Sequence, residues 1–91
     1  MGDAPILKNV KLWADQYGKA GSGDQRAAQD FMICEQVDAI NSFRSELVAI
    51  TKGAVPDETL DALVGKPRKM RHESYKEWAR MMLVWMANTK T

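Results

Sequence analysis

An all-α fold, a small helical bundle, is what this sequence predicts, and three observations carry the prediction. Apolar residues recur at helical spacing in four stretches. Strict alternation, the mark of a half-buried strand, is sustained nowhere, and neither Asn-Gly nor Asp-Gly occurs to close a hairpin. With 45% hydrophobic residues, 27% charged residues and three prolines in 91, the composition is that of an ordered globular chain. That length fits a single helical domain over 1–91 and leaves no room for a second core.

The first helix is predicted from Pro5 to about Tyr17, where Ile6, Val10, Trp13 and Tyr17 form one stripe. Pro5 suits a first turn, because the N–H it lacks is not needed there. The run "GKAGSG" at 18–23 then ends the helix. The second helix is predicted over about 24–52, with Ser22 and Gln25 at the spacing of a capping box and no Gly or Pro before Gly53. Its broad apolar face holds Met32, Ile33, Ala39, Ile40, Phe43, Leu47 and Ile50. A narrower patch gathers Ala27, Phe31, Cys34, Val37 and Val48. A short third helix reads from "VPDETLDALVG" at 55–65, opened by Pro56, favoured by Asp57 and Glu58 at its positive end and closed by Gly65. The last helix starts at Ser74, where Ser74 and Glu77 match a capping box. It runs to about Asn88 with Tyr75, Trp78, Met82, Trp85 and Met86 on its main stripe and Met81 on the flank. The expected architecture is therefore three substantial helices and one short one, built around the long helix 24–52.

Length turns that central helix into a statement about partners. Twenty-nine residues at 1.5 Å each make a helix of roughly 43 Å, whereas a compact chain of this size has a radius of gyration of about 12 Å. An unkinked helix of that length would protrude and expose apolar surface, so a homo-oligomer is expected, with Phe31, Cys34, Val37 and Val48 at its interface. Gln29 and Gln36, seven residues apart, are placed as polar positions of a coiled-coil seam would be. The competing expectation has the first and last helices lying end to end along the central one and covering both patches.

Reactive groups are few. Cys34 is the single cysteine and His72 the single histidine, which excludes an internal disulfide and a zinc site built on several thiolates or histidines. A Cys34–His72 nucleophile pair would have to join an apolar stretch of helix to a charged loop. Glu35 and Asp38 share a face with Asp30, Asn41, Ser42 and Ser45, the composition of a solvated surface rather than of an acid–base pair. The glycine-rich "GKAGSGD" lacks the order of a phosphate-binding loop, and Asp24 would stand where the phosphate belongs. No enzyme activity, metal or cofactor is expected. The apolar runs are too short to span a bilayer, so the chain is expected to be cytoplasmic and without a membrane partner.

Charge is unevenly spread. Net charge is +1, yet residues 24–65 carry eight carboxylates against Arg26, Arg44 and Lys52, and residues 66–76 carry Lys66, Arg68, Lys69, Arg71 and Lys76 against Glu73 alone. Those five cations are the candidate contacts for an anion: nucleic acid, a nucleotide or another phosphorylated ligand. The nine residues from Gly65 to Glu73 are too long for the turn of a helix-turn-helix. Two plainer expectations stand beside the anion site, a solvated connector and pairing with the acidic middle of the same chain or of a neighbouring subunit. Function is expected to be that of a non-enzymatic interaction or assembly module, working by self-association and by docking a protein partner. Anion binding through 66–76 is the alternative.

Overall fold

The computed structural model describes residues 7–18 and 23–89. All regular structure among them is helical: α1 (Lys8–Gln16), α2 (Asp24–Cys34), α3 (Val37–Thr51), α4 (Asp57–Leu63), α5 (Lys66–His72) and α6 (Tyr75–Ala87). The all-α expectation holds. The expected count of three substantial helices and a short one does not, because the long helix is two helices and the basic connector is a helix. Pro5 and Ser22, expected to start the first two helices, lie outside the described residues.

The predicted central helix over 24–52 breaks at Glu35 and Gln36, whose backbones are extended (φ −95°, ψ 159° and φ −77°, ψ 161°). Neither Gly nor Pro causes this; packing does. In one straight helix Phe31 and Phe43 would stand about 18 Å apart along the axis, whereas here their ring centroids are 4.6 Å apart and both side chains are fully buried. Burying two such side chains contributes about 1.5–3 kcal/mol each, which offsets a few backbone hydrogen bonds worth about 1 kcal/mol each. Tyr17 fixes the elbow from outside, its hydroxyl donating to Glu35 Oε2 at 2.6 Å. The domain measures 37 × 26 × 20 Å, so a straight 43 Å helix would have overhung it. The register needed for a Gln29/Gln36 seam is also gone, since Gln36 is the N-cap of α3.

With the elbow in place, α2 turns Ala27, Ala28, Phe31 and Met32 inward and α3 turns Phe43, Leu47 and Ile50 inward. The helix at the centre of the bundle is α6, which packs on α2, α3 and α5, its most extensive contact being with α3. A chain of aromatic contacts threads the core from Tyr17 to Phe31, Phe43, Trp13 and Trp78, with centroid separations of 5.5, 4.6, 6.1 and 5.8 Å. Met82 and Met86 fill the space beside it and are buried, the gap-filling use of flexible thioethers.

Helix ends are held by distant side chains as well as local ones. The Glu46 carboxylate of α3 accepts from the backbone N–H groups of Asn9 and Val10, both at 2.9 Å, and from Asn9 Nδ2 at 2.8 Å. It satisfies the orphan donors of the first turn of α1, which has no side-chain cap of its own. At α6 one half of the expected capping box is present: Ser74 Oγ accepts from the Glu77 N–H. The Glu77 carboxylate pairs with Arg80 at 2.6 Å. Between α5 and α6 the chain reverses through Glu73 at φ 75°, the one positive φ among described residues other than glycine.

Candidate functional site

The basic segment is the region the sequence singles out, and the structure distributes its five cations over three clefts. Arg68 and Arg71 line one of about 270 Å³ with Gly18, Gly23, Asp24, Val64 and Pro67. Lys66 and Lys69 line a second of about 500 Å³ with Asp61, Met70 and Glu73. Lys76 lines a third of about 280 Å³ beside Gly53 and Tyr75. The five do not converge on one point.

Arg68 is turned into the protein. Its Nε donates to both oxygens of Asp24 at 3.1 and 3.0 Å, Nη2 donates to the Gly18 carbonyl at 3.0 Å, and Nη1 donates to the Val64 carbonyl. Trp78 Nε1 donates to the same Asp24 carboxylate at 2.9 Å. Asp24 is only 6% exposed, and burial of a carboxylate is tolerable because it is paired and hydrogen-bonded at once. The guanidinium also lies 5.1 Å from the Trp13 ring centroid, a cation–π contact. Glycine at 18 gives this packing room, since a Cβ there would stand 3.0 Å from Arg68 Nη2 and 3.2 Å from the Ala14 backbone. One arginine thus ties together the end of α1, the start of α2, the end of α4 and, through Asp24, helix α6.

Two of the remaining cations also contact the protein. Lys69 pairs with Asp57 at 2.9 Å and lies 5.9 Å from the Tyr75 ring centroid; the hydrogen bond to Asp57 and its charge push the Lys69 ammonium pKa up. Lys76 packs over Gly53 at the C-terminal end of α3, where a cation is favoured by the helix dipole. Lys66 and Arg71 are exposed and form no ion pair among the described residues. His72 packs edge-on to Trp85 at 6.2 Å, with Nε2 buried and without a hydrogen-bond partner among the described residues.

The acidic middle of the chain is largely engaged within the fold. Asp24, Asp30 and Asp57 form ion pairs, Glu46 caps α1, and Glu35 and Asp61 accept the hydroxyls of Tyr17 and Tyr75. These bonds act on the phenols. Tyr17 is pushed well above its ordinary pKa, first by its bond to Glu35 and then by burial; Tyr75 is pushed up by burial first and by its bond to Asp61 second.

The candidate interface residues separate. Phe31 is fully buried within the chain and Val48 is half-buried, whereas Cys34 and Val37 are exposed at the elbow. Ile33, expected in the core, is exposed as well, at 65% beside 69% for Val37. The broken helix rotates α2 so that the Ala27/Phe31 stripe faces inward and Ile33 faces water. Met70 on α5 is 81% exposed. Helical periodicity alone reads Ile33 as core; only the break reveals it. Among the described residues no group of three or more His, Cys, Asp and Glu side chains is arranged to hold a metal ion, and no helix is long and apolar enough to cross a membrane.

Comparison of the chain with protein-family models, with curated proteins and with solved structures found no match.

Proposed function

We propose that the protein is a non-enzymatic interaction module that self-associates weakly through the α2–α3 elbow and docks a partner protein elsewhere on its surface. The observation that carries this reading is the elbow itself: Ile33 and Val37, with Cys34 between them, stand in water on a domain that buries the other large apolar side chains of α2, Phe31 and Met32. We read these side chains, gathered within five residues at one turn of the chain, as an apolar patch of the kind that marks an interaction site more often than single scattered residues do. Three side chains are far from the roughly 800 Å² per partner of a standard interface, so the association is weak and concentration-dependent. Sedimentation velocity over a concentration series tests it. A reversible dimer that is lost in Ile33→Asp with Val37→Asp supports the reading, and a monomer at every concentration refutes the self-association.

Anion binding by 66–76 is the second reading, supported by Lys66 and Arg71, which remain exposed and unpaired among the described residues. They line different clefts, so an extended polyanion suits them better than a small phosphorylated ligand. Binding to single-stranded nucleic acid that weakens steeply with salt and is abolished by Lys66→Ala with Arg71→Ala is the expected signature.

A further inference from the structure

A groove of about 330 Å³ lies between α1 and α4, walled by Leu7, Lys8, Lys11, Thr59, Ala62 and Leu63. Its polar content is slight. Leu7 is buried at the back, Leu63 is half-buried, and Ala62 is exposed at the lip. Lys8 and Lys11 stand on the α1 side, three residues apart and so neighbours on one face. Both are exposed and form no ion pair among the described residues. Unlike Arg68, Lys69 and Lys76, they hold nothing in the fold, and the Glu46 carboxylate that meets this turn of α1, at Asn9 and Val10, is occupied by three donors.

We infer that this groove is the docking site for a partner protein's acidic amphipathic helix, which inserts large apolar side chains against Leu7 and Leu63 and sets carboxylates on Lys8 and Lys11. The inference rests on the interaction-module reading and names the chemistry of the partner. An apolar trench takes the apolar stripe of a helix, anchored at helical spacing, and the charge on the rim selects the sign of the flanking residues. The volume is at the small end of ligand pockets, about 300–1,000 Å³, and suits the insertion of side chains from a helix lying across it.

Selection of displayed amphipathic helical peptides on the whole protein tests this. Enriched peptides are expected to carry large apolar anchors flanked by Asp or Glu and to shift the backbone amide resonances of Leu7, Ala62 and Leu63. Lys8→Gln with Lys11→Gln should weaken them about fivefold, and Ala62→Glu, which narrows the groove and repels acid, by about tenfold or more. The glutamine pair removes charge without placing a new carboxylate beside Glu46, and circular dichroism verifies that both variants are folded. Absence of enrichment, enrichment of peptides flanked by lysine, or binding indifferent to the variants overturns the proposal. Selected peptides that reproduce segments of this chain would make the occupant a second copy, and binding to anionic vesicles in place of peptides would make it a lipid surface; either result overturns it too. Elbow-dependent association with no peptide binding defeats this inference while leaving the interaction module standing.

Discussion

Asp24 and Ile33 lie near opposite ends of the same helix and depart from ordinary burial in opposite directions. Asp24 is a carboxylate 6% exposed, and Ile33 is a branched apolar side chain 65% exposed. The charged end is inside because everything around it donates: Arg68 through Nε and Trp78 through its indole N–H. The apolar end is outside because the chain breaks one residue beyond Cys34 and gives the core Phe31 instead. A buried charge with saturated partners belongs to the architecture, and an apolar side chain left in water is available to something else. The comparison moves the functional weight away from Arg68, the most committed cation of the basic run, and toward the surface that the fold leaves uncovered.

The Asp24 end should be the most sensitive to change. Arg68→Ala leaves a carboxylate buried without its cation and is expected to cost about 3–5 kcal/mol, read as a lower urea midpoint. Arg68→Met with Asp24→Leu removes both charges and should recover much of that loss. If Arg68→Ala is neutral, the architectural role of the pair fails. Glu46→Ala comes next, at about 1–2 kcal/mol, because it strips the donors of the first turn of α1 of their acceptor.

Alkaline titration probes the tyrosines, of which Tyr17 reaches the elbow through Glu35 and Tyr75 joins α6 to α4 through Asp61. Tyr17 and Tyr75 are the chain's only tyrosines, and both are held protonated above their ordinary pKa near 10. A group whose pKa is raised by folding contributes stability that is complete below its unfolded value and is lost as pH climbs past it. Native protein should therefore show almost no phenolate absorbance near pH 10, and stability should fall above that pH. Ordinary phenolate titration in folded protein would contradict the two carboxylate bonds. A smaller effect is expected at Glu73, whose positive φ favours glycine: Glu73→Gly should raise stability by up to about 1 kcal/mol. Smallest of all for stability is Ile33→Asp, within about 0.5 kcal/mol as for surface positions generally. A larger loss would mean that Ile33 is part of the core after all.

Legibility in the sequence followed the range of the interactions. The Ser74 cap and the α6 stripe were readable because capping and periodicity act within one or two turns. The elbow was not, since no glycine or proline marks it and its cause is a meeting of Phe31, Phe43 and Tyr17 from three helices. Helix α5 carried a readable signal, Gly65 followed by Pro67 in the first turn, but four cations in a row of seven argued for an extended connector. The cancelling charge on Arg68 is Asp24, 44 residues away, which a count of charge by segment registers only as an acidic middle. Of the candidate interface, Cys34 and Val37 were legible as apolar positions on a secondary patch, whereas the exposure of Ile33 follows from the break alone.

The proposed cover of the elbow by association, in place of folding, is read most directly in the urea midpoint measured against protein concentration, with and without Ile33→Asp and Val37→Asp. Association that stabilises only the folded state raises the midpoint by mass action, the added stability being about 1.4 kcal/mol at ten times the dissociation constant. The midpoint is expected to climb with concentration in the native sequence and to stay flat in the variant, the two agreeing when dilute. A native midpoint independent of concentration, or a variant already less stable when dilute, would contradict it.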